Sequence, residues 1–160
     1  MAINVKPKIL VLGGGFGGLE AAFYLRMKLK DRANITMVSD KDHFLYKSNT
    51  IYIPFGLDPS KLMIPLDRPT SRKDIEFVPA KAQEIDPITK TVKVAGNSFT
   101  YDFLILATGA GMRAEEVPGL TEFAQTIWTP KDILRLRRSL NDIVVEAKQD
   151  TTNGYYLWCL

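Results

Sequence analysis

The sequence predicts an α/β domain, a parallel sheet joined by an antiparallel β-meander, on three observations. A glycine-rich turn, Gly13-Gly14-Gly15-Phe16-Gly17-Gly18, lies between an apolar run of strand length and a run of helix formers. A second strand-like run follows that helix, and strand–helix–strand crossovers place their two strands parallel in one sheet. Farther on, short alternating runs separated by turn residues lead to a wholly apolar run that stops at Ala107-Thr108-Gly109.

Residues 8–12 (KILVL) are stopped by glycine at strand length, so they read as a buried parallel strand rather than a helix. Residues 16–30 read as the first helix, with Leu19, Ala22, Phe23 and Met27 on its core face and Glu20, Arg26, Lys28 and Lys30 outside it. Residues 34–38 (NITMV) form the second strand. Residues 43–69 are rich in aromatics, proline and glycine without sustained periodicity. They are expected to form an ordered excursion, which either encloses a ligand or only covers the sheet.

Four β signals come next, at 75–78, 80–85, 91–94 and 98–101, with turns at 87–90 and at Gly96-Asn97. Their alternation suits an antiparallel meander with one covered face. Residues 103–107 (FLILA) are apolar throughout and belong, fully buried, in the parallel sheet. Thr129-Pro130-Lys131-Asp132 is a helix start, with Thr as N-cap and Pro in the first turn. Ile133, Leu136, Leu140, Ile143, Val144 and Ala147 then form an apolar face. Arg135, Arg137 and Arg138 read as the solvated side, or as an anion or membrane contact.

Composition removes several classes of function. The 160-residue chain is 46% hydrophobic and 24% charged, the balance of a globular domain. No apolar run approaches the roughly 20 residues that cross a bilayer, and the first residues lack a secretion signal, so the default location is cytoplasmic. A net charge of +3 with dispersed basic residues gives no support to nucleic-acid binding. Cys159 is the only cysteine, so no intrachain disulfide, dithiol relay or cysteine zinc site can form. His43 is also alone, so no metal site is expected; it reads as a structural or cofactor-contacting aromatic.

Gly13, Gly15 and Gly18 meet the pattern G-x-G-x-x-G in the setting its chemistry needs. The first glycine permits the tight turn, the second lets backbone approach a pyrophosphate, and the third lets helix and strand pack closely. The helix start then offers free N–H groups and partial positive charge to the anion. The second strand ends at Ser39-Asp40, where an acidic residue would receive ribose hydroxyls. Either side chain can accept such a bond; the other reading of Asp40 is a turn shared with Lys41 and Asp42. With no basic pair for a 2′-phosphate, an adenosine dinucleotide lacking that phosphate is the simpler ligand. Ala107, Thr108 and Gly109 place small residues at the carboxyl edge of the sheet, leaving room for a planar cofactor.

The order GGGFGG, second strand, meander and TYDFLILATG resembles the FAD-binding half of the pyridine nucleotide–disulfide oxidoreductase superfamily, whose fold is Rossmann-like. SDKDHFLY, VPAKAQEID and EVPGL bring it nearest to the sulfide:quinone oxidoreductases and the type II NADH dehydrogenases. The resemblance implies that Gly13, Gly15, Phe16, Gly17 and Gly18 form the FAD pyrophosphate turn. It places Ser39 and Asp40 at the adenosine ribose and gives Ala82 backbone bonds to adenine. Ala107, Thr108 and Gly109 would close over the cofactor, and Lys47 would lie near the flavin end.

The same resemblance implies electron transfer from sulfide or NADH through FAD to a quinone, with peripheral membrane association of the complete enzyme. Two departures accompany it. A position where sulfide:quinone oxidoreductases hold sulfur on cysteine is Trp128 in QTIWTP. The chain also stops where a second nucleotide-binding half would begin, after 155–160 (YYLWCL), which reads as the first strand of a further sheet. The expectation is therefore a truncated protein, with an FAD-binding domain at 1–112, an incomplete second domain at 113–160, and little turnover of its own. An unpaired apolar strand recruits another, so a homodimer through 129–160 is expected. No residue is assigned a catalytic role. Two other readings stay open: an NAD-dependent dehydrogenase, which explains the glycines but not the meander with ATG, and a nucleotide-binding module without turnover.

Overall fold

A computed structural model describes residues 5–149 of the chain. Cys159 and the strand expected at 155–160 lie outside the described residues. Strands β1 (Lys8–Leu12), β2 (Asn34–Ser39), β5 (Glu76–Pro79) and β9 (Phe103–Leu106) form a parallel sheet in the order β5-β2-β1-β9. Helix α1 (Phe16–Leu29) crosses from β1 to β2. Strands β6 (Ala82–Asp86), β7 (Thr91–Val94) and β8 (Asn97–Thr100) make the antiparallel meander. Its β7–β8 hairpin turns on Ala95 and Gly96, both at positive φ, the conformation a two-residue hairpin loop needs.

Alternation along β1 builds two cores. Ile9 and Val11 point to the α1 side with Ala22, Ile35, Met37 and Ile75. Leu10 and Leu12 point to the meander side with Val38, Val92, Val94 and Tyr101. Both faces of β1 are thus covered, which is why it reads as one uninterrupted apolar run. Each fully buried aliphatic side chain contributes roughly 1.5–3 kcal/mol of transfer free energy.

Five features differ from the sequence expectation or add to it. The run at 75–78 is no part of the meander: β5 pairs parallel with β2, Thr36 opposite Glu76 and Ser39 opposite Pro79. Strand β9 is parallel to β1 but forms the sheet edge, so Phe103 and Leu106 are 61% and 63% exposed rather than buried. On α1, Met27 is exposed, and Leu25 and Leu29 pack on the core beside Leu19 and Phe23. Arg26 lies inside: its guanidinium donates to the carbonyls of Lys30, Ala33 and Asp74, capping the end of α1. The excursion at 43–69 also carries regular structure: a hairpin of β3 (His43–Leu45) and β4 (Met63–Pro65), then the short helix α2 (Asp67–Ser71).

The chain divides into two compact units, the first holding the parallel sheet, the meander and the β3–β4 hairpin, the second holding 46–62 and 111–149 of the described residues. The second contains 3-10 turns at Lys47–Tyr52, Pro59–Leu62 and Ala114–Glu116, with helices α3 (Leu120–Phe123) and α4 (Pro130–Gln149). Thr129 and Asp132 make a reciprocal box at the start of α4: the Asp132 N–H donates to Thr129 Oγ1, and the Thr129 N–H donates to the Asp132 carboxylate at 3.0 Å. Ile133 is buried on the α4 apolar face, whereas Val144 is exposed. No described helix is long and apolar enough to cross a membrane.

Candidate nucleotide-binding site

The glycine turn joins the carboxyl end of β1 to α1, and its glycines divide into two kinds. Gly13 and Gly18 are glycines because protein fills the space beside them. A Cβ on Gly13, whose φ is +116°, would lie 2.1 Å from the carbonyl oxygen of Ala107, and one on Gly18 would lie 1.9 Å from the carbonyl oxygen of Gly13. Gly15 and Gly17 are the opposite: both are exposed, a Cβ on Gly15 would meet nothing within 4 Å, and one on Gly17 would touch only the Ala107 methyl at 3.8 Å. The backbone is pressed against the protein on one side and bare on the other.

Gly15 is the N-cap of α1 and offers no side chain to its first N–H groups, and no acidic residue stands in the first turn. The first N–H groups of a helix point out of its end, and the helix dipole adds positive potential where they point. The start of α1 thus carries neither a side-chain cap nor an acidic side chain, and helix starts of this kind attract anions. Phe16 is half exposed, with Phe44 of β3 meeting its ring edge-on at a centroid distance of 4.7 Å.

Pairing of β9 beside β1 brings the second glycine signal to the first. The Ala107 N–H donates to the Leu12 carbonyl at 2.8 Å, continuing the ladder to the turn, and Thr108 and Gly109 follow exposed. From the other side the Gly13 N–H donates to the Val38 carbonyl at 2.7 Å. The carboxyl ends of β1, β2 and β9 thus meet at the turn, the edge at which open α/β sheets bind ligands.

At the end of β2, Ser39 is buried and Asp40 is exposed. The Lys41 N–H donates to Ser39 Oγ at 3.3 Å, so the serine hydroxyl already shapes the chain leaving the strand. Next to it the Asp42 carboxylate lies 2.7 Å from His43 Nδ1, and this hydrogen bond holds Asp42 below the ordinary aspartate value. His43 is thereby tied to its neighbour. Ala82 opens β6 and packs on the core that contains Leu12 and Val38.

The first unit thus assembles Gly13, Gly15, Phe16, Gly17, Gly18, Ser39, Asp40, Ala107, Thr108 and Gly109 around one sheet edge, while Ala82 packs on the meander-side core. Lys47 belongs to the second unit, where its Nζ lies 4.2 Å from the centroid of the Trp128 ring. Sequence reasoning passed over Gly14, Phe44 and Leu66. Gly14 was visible as an extra glycine in the run; Leu66 carried no signal, because its contact with the turn spans the whole β3–β4 excursion.

Comparison with known proteins agrees with this geometry. The family described as pyridine nucleotide-disulphide oxidoreductase matches residues 7–145. The sulfide-quinone reductase of Aquifex aeolicus is 30% identical over 137 residues, covering 84% of this chain and 31% of that protein. The type II NADH:quinone oxidoreductase of Staphylococcus epidermidis is 26% identical over 140 residues, covering 86% of this chain and 35% of that protein. The crystal structure of the sulfide:quinone oxidoreductase from Aquifex aeolicus superposes with a TM-score of 0.80 at 29% identity, covering 87% of this chain and 32% of that one. The chain spans about a third of the length of the relatives it matches.

Proposed function

The chain belongs to the pyridine nucleotide-disulphide oxidoreductase family, and from that premise we propose that its first unit is the FAD-holding part of a flavoprotein oxidoreductase. The observation that carries this reading is the two-sided glycine turn: Gly13 and Gly18 are packed against protein, while Gly15 and Gly17 lie bare at the start of an uncapped helix. A pyrophosphate fits there, against the backbone of a turn with no side chain in its way and at the positive end of the helix dipole.

In this reading Gly13, Gly15, Phe16, Gly17 and Gly18 form the pyrophosphate turn. Asp40 accepts the ribose hydroxyls, since its carboxylate is exposed while Ser39 is buried against the turn. Ala82 offers backbone bonds to adenine, and the small residues Ala107, Thr108 and Gly109 leave room for the ring system. Bound flavin supplies the two-electron chemistry; the protein supplies position, exclusion of water and electrostatics. No residue of the chain is proposed as catalytic.

The electron donor has two readings. Sulfide is one, from the likeness to a sulfide-quinone reductase; NADH is the other, from the likeness to a type II NADH:quinone oxidoreductase. Trp128 favours the second. The family resemblance places it where sulfide:quinone oxidoreductases keep a cysteine, and an indole beneath the Lys47 ammonium cannot hold sulfur covalently. A quinone is the proposed acceptor in both, with peripheral contact at a membrane. Titration of the chain with FAD, read by quenching of flavin fluorescence, tests the binding proposal: saturable quenching that excess NAD does not reverse supports it, and displacement by NAD at matched concentration overturns it. Quinone reduction by the polypeptide that carries this domain, with NADH against sulfide, decides the donor.

A further inference from the structure

Gly14 lies outside the G-x-G-x-x-G pattern and is not among the positive-φ glycines, so neither the motif nor its backbone requires glycine. Space requires it. A Cβ at Gly14 would lie 2.6 Å from Leu66 Cδ1, 2.9 Å from Ser39 Oγ and 3.1 Å from Ser39 Cβ. Leu66 is 1% exposed, and its main chain is held at both ends: its N–H donates to the Asp42 carbonyl at 2.9 Å, and its carbonyl accepts from the Thr70 N–H at 3.2 Å and from the Thr70 hydroxyl. Thr70 is itself fully buried.

We infer that Leu66 is a positioning residue for the nucleotide, acting through Gly14 and Ser39. Its methyl wedges between the phosphate turn and the end of β2 and fixes the distance from the start of α1 to Asp40. Ser39 passes the constraint on, because its hydroxyl accepts the Lys41 N–H and so sets the path of the chain on either side of Asp40. Leu66 touches no ligand in this scheme. It sets the separation between the pyrophosphate and ribose contacts, which a dinucleotide must match at both ends at once. The inference rests on the binding reading above, but only on the adenosine half of it.

The test measures ADP and FAD affinity of the full 160-residue chain. Gly14→Ala is expected to weaken both ligands by the same factor, about tenfold, because the displaced contact serves the half they share. Adding Leu66→Val, which withdraws the nearest of the atoms that a Cβ would strike and leaves the Ser39 contacts, is expected to restore part of the loss. In an Asp40→Asn background, Gly14→Ala is expected to cost little more, since the contact it misplaces is already gone. Unchanged ADP affinity in Gly14→Ala, or failure of Leu66→Val to restore any of it, overturns the inference. If Gly14→Ala does not fold, Leu66→Val alone is compared with Ile9→Val, a deletion of like size in the α1-side core. Loss of ADP affinity in the first and not the second supports the role, and equal affinity in both overturns it. A chain that binds ADP but not FAD removes the flavin reading and leaves this test intact; a chain that binds neither removes both.

Discussion

The carbonyl oxygen of Ala107 stands 2.1 Å from the point where a side chain on Gly13 would begin, so the two glycine-containing turns of this chain share one volume. Backbone occupies that volume, and backbone cannot rotate away as a side chain can. Gly13→Ala is therefore expected to destabilise the fold by about 2–5 kcal/mol, from overpacking together with an L-residue at positive φ. Urea unfolding measures the loss.

Gly15→Ala separates binding from stability. The added methyl meets no protein atom, so the fold is expected to lose less than about 1 kcal/mol, the difference between glycine and alanine as N-cap. The same methyl projects from the bare side of the turn, where the proposed pyrophosphate lies. FAD affinity is expected to fall while the thermal midpoint barely moves, and paired calorimetry and fluorescence titration read both.

Arg26 closes α1 by donating to carbonyls of Lys30, Ala33 and Asp74 from a side chain that is 11% exposed. Arg26→Met keeps the stem and removes the donors. Charge-assisted bonds of this kind contribute about 1.5–3 kcal/mol, so a loss of that size in urea unfolding is expected. Arg26→Lys is expected to recover only part of it, because one ammonium cannot span the same carbonyls.

Asp132 caps α4 together with Thr129, and the hydrogen bond from the Thr129 hydroxyl holds its carboxyl below the ordinary value of 3.8. A carboxyl with a depressed folded-state pKa adds stability that is present above the unfolded value and is lost as pH falls through the folded value. Urea midpoints between about pH 6 and pH 2 are expected to fall toward acid in the wild type and to fall less in Asp132→Asn. Thr129→Ala is expected to cost about 1 kcal/mol at neutral pH.

How much of this was legible in the sequence follows the range of each signal. The β1–turn–α1–β2 unit was readable because its cues are local: a short apolar run, glycines at fixed spacing and a helical stripe, within 8–39. The partnership of Gly13 with Ala107 was readable through chemistry, since small residues ending two apolar strands belong at one edge. Strand β5 misled because Ile75-Glu76-Phe77-Val78 alternates like the meander strands, and only its pairing with Thr36 to Ser39 decides its direction. Arg26 misled because a guanidinium counts as solvated in any helical pattern, whereas here it finds carbonyls. Leu66 could not be read at all: nothing in LMIPLD distinguishes a leucine aimed at Gly14 from one that covers the sheet.

The central claim is that the glycine edge of the first unit holds FAD, and flavin content tests it most directly. The purified chain, saturated with FAD and freed of excess ligand, is denatured, and the flavin released is measured against protein. About one FAD per chain, lost in Gly15→Ala, is the expected result. A colourless chain that retains NAD but no FAD after the same treatment would contradict it.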